Sequence, residues 1–459
     1  VTAVTPPDPS IQHLKGEAMQ IFKSQLTLLL VLTLGTTLIA GSGSLHKRRA
    51  EAFPKPDENK AIEKIVESAL QPVIAQPGFT GITIGVRRDG KDFLYHYGDL
   101  KSKGNRTPPD SKTLYMIGSV TKTFTATQLA LYAQQGLVTM DQPFQKNIPA
   151  LYQAPPADPK STITLEQLAT HSAGLKRDSC AKFGPDSNSA NAPSTPNDGF
   201  TLEDAELDPE IPGCTPLVPF YKDWYTATQA YEEYRCQNGY AGCLLISLPG
   251  AKHTYSNFGF GLLGLSLAKG GSWARLLRKD ITDPLQMSDT GIRSQLTDEQ
   301  LGRRATGHKG DGKAVPDDEL EASTIPTLAA GGALWSTPDD LMRWMTYTMG
   351  ESSTSLSSLL TTVLKKRHTF AGDHHLINKP GQTDSMALGW QYTPLNRGVA
   401  KTEVVCKNGG TPGFNSYVGF IPKKSTGVFI MANFKFAKNF GAGDLGLSIL
   451  RELDKESKR

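Results

Sequence analysis

Apolar residues recur at helical spacing between Glu58 and Gln71, where Ile62, Ile65, Val66 and Leu70 line one side of an amphipathic helix. The period then changes. Gly81–Val86 and Phe93–Tyr97 are short β-rich runs, and the Arg87-Arg88-Asp89-Gly90-Lys91 stretch between them, with its Asp-Gly turn, predicts a hairpin. After a polar, proline-containing loop, Thr121–Gln134 reads as a helix carrying Phe124, Leu129 and Leu131, and the run from Ile163 reads as another that ends near Gly174. Residues 176–250 are dense in Pro, Asp, Asn, Gly and Cys, interrupted by an aromatic run at 220–234. So long an irregular stretch inside a domain predicts a covering excursion, such as the roof of a substrate cleft. Helices resume at Phe258–Lys269, and Thr337-Pro338-Asp339-Asp340 opens another with a capping Thr, an early Pro and first-turn acids. Strand patterns at Val404–Cys406, Ser416–Ile421 and Val428–Ala432 precede a closing helix at Ala442–Leu453. Strands at both ends with helices between predict an α/β (α+β) fold. Its antiparallel sheet, residues 53–118 and 326–459, is flanked by the N- and C-terminal helices, and a mainly helical domain, 119–325, is inserted into it.

Composition changes this picture little. At 459 residues the chain can bury a large core, and 49 basic against 45 acidic residues, spread without a basic run, favour no nucleic-acid partner. The N-terminus is more telling. From Met19 a single Lys is followed by an apolar stretch, Leu26–Ala40, and then small residues, the layout of a secretory signal peptide. Residues 1–52 are therefore expected to be leader and signal, with a retained membrane anchor as the alternative, and the mature protein to be periplasmic or secreted. Export makes disulfides permissible: Cys180, Cys214, Cys236 and Cys243 cluster in the irregular stretch and are the disulfide candidates, whereas Cys406 stands apart in a strand-like run.

Three short stretches carry candidate chemistry. Ser119 and Lys122 lie three residues apart where a helix begins, so hydroxyl and amine meet on one helical face, and the N-terminal dipole favours an alkoxide or oxyanion there. The Ser-x-x-Lys pairs Ser44/Lys47 and Ser179/Lys182 open no helix. Tyr255 and Asn257 flank one residue ahead of the next helix; in extended backbone both would face the same way, although taken alone a helix cap and a packed aromatic explain them better. Lys407-Asn408-Gly409-Gly410 ends a strand in a glycine-rich turn, where glycines admit a substrate backbone and a lysine attracts a carboxylate.

Taken in that order, Ser-x-x-Lys, Tyr-x-Asn and Lys-x-Gly resemble the penicillin-recognising serine hydrolases, specifically the class C β-lactamases and the related D-alanyl-D-alanine carboxypeptidase/endopeptidases. PDSKTLYMIGSVTKTFTA, ITLEQLATHSAGL, YSNFGFGLLG, GGALWSTPDDLMRW, LGWQY and GGTPGFNSYVGFIP share that look, so the resemblance runs from about Phe79 to Leu450. It implies the serine β-lactamase/DD-peptidase fold. It further implies that Ser119 is the acylated nucleophile, Lys122 the amine sharing its proton, Tyr255 the second acid/base, and Asn257 a substrate-amide group. Lys407, with Asn408 and Gly409, would bind substrate, and the N–H groups of Ser119 and Gly410 would form the oxyanion hole. The family usually carries Thr or Ser where this chain has Asn408, which bears on carboxylate recognition. The implied partners are peptidoglycan stem peptides or β-lactams, with no cofactor.

Other chemistries fit less well. The nearest approach to a Gly-x-Ser-x-Gly elbow, Gly264-Leu265-Ser266, falls mid-helix and lacks the last glycine, and His374-His375 has no metal-ligand spacing around it, so no metal is expected. An esterase on the same scaffold, or a penicillin-binding sensor that never turns over, remains the alternative to a DD-peptidase or β-lactamase.

Overall fold

In the computed structural model, the described residues belong to one compact unit. The residues described are 56–101, 104, 107–147, 162–175, 177, 181–182, 206–207, 248–269, 271–317, 320, 329–371, 383–396, 402–437 and 440–456. The expected signal segment, Cys180, Cys214, Cys236, Cys243, Ser179 and His374-His375 lie outside them, as does most of the 176–250 stretch. In that stretch Ala181–Lys182 pairs with Glu206–Leu207 as a two-residue antiparallel ladder.

The sheet begins with the hairpin. Strands β1 (Gly81–Arg88) and β2 (Lys91–Gly98) pair in register from Gly81↔Gly98 to Arg88↔Lys91. Asp89 (φ 50) and Gly90 (φ 78) both take the left-handed conformation that a tight two-residue hairpin turn demands, and Asp and Gly adopt it readily. The chain returns to this sheet only at His368, long after β2 ends at Gly98. Strands β3 (His368–Ala371), β4 (Thr383–Met386), β5 (Gln391–Pro394), β6 (Glu403–Thr411), β7 (Phe414–Ile421) and β8 (Thr426–Ala432) complete an eight-stranded antiparallel sheet of order β2-β1-β8-β7-β6-β5-β4-β3. Strand β8 closes against β1, Ile82↔Ala432 to Arg88↔Thr426, so the first and last strands of the chain meet one strand in from the β2 edge.

Helix α1 (Pro56–Ile74) and helix α6 (Ala442–Glu456) cover one face. The stripe Ile62, Val66, Leu70 and Val73 meets Ile84, Val86, Ile430, Leu445 and Ile449, all fully buried, and each such side chain contributes about 1.5–3 kcal/mol. Alternation sends Val405, Val418, Phe429 and Met431 to the other face. There they pack into the core that holds α2 (Thr121–Gln134), α4 (Asn257–Ala268) and α5 (Pro338–Thr348). Helix α5 starts as its sequence requires, with Thr337 Oγ1 accepting the Asp340 N–H at 3.3 Å and Pro338 in the first turn. Helix α4 is buried almost all round, which is why it carries Phe, Leu and Gly in place of a polar face.

Two expectations change. The helix from Ile163 is short: α3 spans Leu165–Ala169, capped by Thr164, and the chain then turns at His171 (φ 56) and Gly174 (φ 72). The sheet also gains β3, β4 and β5, whose sequences HTFA, TDSM and QYTP carry no run of alternating apolar residues.

Candidate active site

Ser119 does not sit in α2 itself. It occupies a 3-10 turn, Gly118–Val120, that feeds into the helix at Thr121. Gly118 has φ 48, and a Cβ there would stand 2.7 Å from Gly410 N and 2.8 Å from Gly410 O. Only glycine lets the turn approach the end of β6 this closely. Strand β5 pairs with β6 only as far as Cys406, so beyond that point the β6 edge is left to the Ser119 turn. Gly409 serves the same approach: a Cβ would lie 2.1 Å from Ile117 O and 2.3 Å from Ser416 Oγ, and Ser416 Oγ donates to that carbonyl at 2.7 Å. Gly409 is therefore buried beneath the turn, whereas Gly410 is exposed beside it.

Lys122 is fully buried on the first turn of α2, and its ammonium meets three acceptors among the described residues. It donates to Ser119 Oγ at 3.0 Å, Asn257 Oδ1 at 2.6 Å and the Gly331 carbonyl at 2.6 Å. Ser119 Oγ and Tyr255 Oη share a hydrogen bond of 2.5 Å. The half-buried serine hydroxyl is thus bracketed by an amine from its own turn and a phenol 136 residues further along the chain. The cap of α4 is Ser256, in extended backbone, whose Oγ accepts the Gly259 N–H at 2.8 Å. Asn257 is then the first helical residue, which frees its carboxamide to meet Lys122.

Lys407 completes the group from β6. Its Nζ lies 5.2 Å from the centre of the Tyr255 ring and donates to the Asn408 carbonyl at 3.2 Å. Burial lowers its pKa from 10.5 to about 7, the neighbouring Cys406 thiol opposing and the positive Arg177 adding to the shift. Lys122 Nζ is 4.9 Å from the same ring centre and the Arg177 guanidinium 5.5 Å. Three cations around one phenol create a field in which a developing anion is favoured and a substrate carboxylate attracted. Asn408 alternates onto the opposite strand face from Lys407, the face of Cys406, and its Oδ1 is buried without a hydrogen-bond partner among the described residues.

The structure therefore brings Ser119, Lys122, Tyr255, Asn257, Lys407 and Gly410 together and sets Asn408 and Gly409 to either side. The Gly331 carbonyl, Arg177 and His171 were not foreseen. A backbone acceptor leaves no side-chain signal in a sequence, and His171 and Arg177 lie in a segment read as a helix end and the start of an irregular stretch. Ser266, the weak elbow match, lies inside α4 and donates to the Phe144 carbonyl at 2.8 Å, a packing role. Cys406 is a buried thiol, as its isolation in the sequence suggested. No cluster of metal-ligating side chains forms among the described residues.

The D-alanyl-D-alanine-carboxypeptidase/endopeptidase AmpH of Escherichia coli K12 is 26% identical over 372 residues, 80% of this chain and 83% of that protein. A Beta-lactamase of Psychrobacter immobilis is 24% identical over 441 residues, 90% of each chain. The fold is shared with the solved Beta-lactamase/D-alanine carboxypeptidase from Yersinia pestis, at a TM-score of 0.61 and 23% identity, over 87% of this chain and 99% of that one. The sequence profile described as Beta-lactamase matches residues 62–448, which span every side chain of the site, and the chain belongs to that family.

Proposed function

We propose that the protein is a serine hydrolase that forms an acyl-enzyme at Ser119 with D-Ala-D-Ala-type peptidoglycan amides and with β-lactams. The observation that carries this is the Ser119 hydroxyl held at once by Lys122 Nζ at 3.0 Å and Tyr255 Oη at 2.5 Å. The names of the relatives, a carboxypeptidase/endopeptidase and a Beta-lactamase, point to the same two substrate classes.

The chemistry follows from the arrangement. The Lys122/Tyr255 pair takes the Ser119 proton as Oγ attacks the amide carbonyl, and the N–H groups of Ser119 and Gly410 receive the oxyanion. Collapse of the tetrahedral intermediate breaks the C–N bond, and Tyr255 delivers the proton to the departing nitrogen. Water then repeats the sequence on the ester, releasing the acid and restoring the Ser119 hydroxyl. Asn257 holds Lys122 in place and offers its amide N–H to substrate. Lys407, with its Nζ beside the Tyr255 ring, supplies the positive charge for a substrate carboxylate.

Turnover of a D-Ala-D-Ala peptide, a penicillin and an uncharged short-chain ester by wild type and Lys407→Ala tests this. The variant should lose about 2–4 kcal/mol of transition-state stabilisation on the two carboxylate-bearing amides and much less on the ester. Equal losses on all three, or faster wild-type turnover of the neutral ester than of either amide, would replace this reading with an esterase. An adduct with penicillin that forms and never turns over would replace it with a sensor.

A further inference from the structure

His171 has no part in the mechanism above, yet it touches the site from three directions. It follows α3 in left-handed backbone, φ 56, a conformation that a non-glycine residue keeps only when its surroundings enforce it. Its carbonyl accepts the Thr254 N–H at 2.6 Å. Its ring Nδ1 accepts the Ser256 N–H at 3.2 Å, and the ring lies against Tyr255 with centroids 4.4 Å apart. One residue thus holds the backbone on both sides of Tyr255 and the phenol ring itself.

The Ser256 N–H also dictates the form of the imidazole. Nδ1 must be bare to accept, so the ring is neutral with its proton on Nε2. The surroundings keep it so: burial first, then His253, Lys122 and Lys407, hold its pKa well below the ordinary 6.5. Arg177, over the Tyr255 ring, is a further cation on that ring. Nε2 is buried and meets no hydrogen-bond partner among the described residues.

We propose that His171 is a positioning residue for Tyr255, a neutral imidazole that sets the phenol on the Ser119 hydroxyl; this rests on the acylation reading above. Asn at this position would place Oδ1 near where Nδ1 now lies and tolerates left-handed backbone, whereas Leu keeps comparable bulk without an acceptor. The rate of Ser119 acylation by benzylpenicillin is measured from pH 5 to 8 in wild type, His171→Asn and His171→Leu. Leu should slow acylation about tenfold to a hundredfold, the scale of an ångström-sized misplacement, and Asn should restore most of the rate. The Asn variant should keep the shape of the wild-type pH profile. Leu as fast as wild type, Asn as slow as Leu, or loss of one limb of the profile in the Asn variant would each overturn the proposal, the last by making His171 a direct proton carrier. A crystal structure of His171→Leu decides the same question without turnover: Tyr255 Oη should leave hydrogen-bond range of Ser119 Oγ, and a phenol still in place overturns the proposal. If wild type forms no adduct, the acylation reading falls while this crystallographic arm still judges His171.

Discussion

Lys407→Met exchanges a buried ammonium for a thioether of similar length, and its effect on stability can be worked from the site. Lys407 is 1% exposed and forms no ion pair with a described residue. Its pKa is lowered to about 7 in the folded chain, against 10.5 when solvated. The unfolded chain therefore binds more protons between those two values, and stability rises with pH across that window. The cost of burying the amine is fully present below the folded value, where it amounts to about 4–5 kcal/mol, and has dropped to roughly 2 kcal/mol by pH 9. Methionine carries none of it. The variant should be more stable than wild type by up to about 4 kcal/mol at pH 7, and the difference should shrink by about 2 kcal/mol at pH 9. Urea unfolding of both proteins at the two pH values reads this directly, provided the slopes agree. A difference that does not change with pH, or a variant less stable at pH 7, would mean that the fold compensates the charge of Lys407 and would refute the reasoning. The same substitution should weaken the turnover of carboxylate-bearing amides by about 2–4 kcal/mol, as Lys407→Ala does, so the lysine is kept at the expense of stability.

Gly118→Ala should cost about 1–3 kcal/mol, since the residue has φ 48 and a Cβ there would push on Gly410 N, and it should slow Ser119 acylation more than tenfold by parting the two N–H groups; circular dichroism melts with a penicillin-labelling time course check both. Cys406 should resist alkylation until the protein unfolds, and the four other cysteines should resist it until reduced; peptide mapping that finds all five alkylated without reductant would contradict the export expectation.

Much of the site was legible because its parts are local. Ser119 and Lys122 are a helix start, Tyr255 and Asn257 precede another, and Lys407 with Gly410 ends a strand, so each fragment announces its backbone setting without knowledge of the others. What brings them together is the meeting of β1 with β8 and the burial of α4, and both follow from alternating and continuous apolar runs that are visible in the chain. The contacts that are not local were hidden. The Gly331 carbonyl that holds Lys122 has no side chain to notice, and His171 looks like the tail of a helix until its left-handed turn brings it to Thr254 and Ser256. Asn257 read as a possible cap, but Ser256 takes that task because its hydroxyl reaches the Gly259 N–H. Strands β3 to β5 escaped because edge-side positions such as His368, Asp384 and Gln391 do not alternate; their pairing is decided by the neighbouring strand.

The central claim is that Ser119, held by Lys122 and Tyr255, becomes covalently acylated. Intact-mass measurement over time after mixing with benzylpenicillin, followed by mapping of the modified peptide, tests it most directly in wild type and in Ser119→Ala. Wild type should gain the mass of one penicillin on the peptide containing Ser119 and then lose it by hydrolysis, and Ser119→Ala should gain none while melting at an unchanged temperature. An adduct on any other residue, or one that forms equally in Ser119→Ala, would contradict the account.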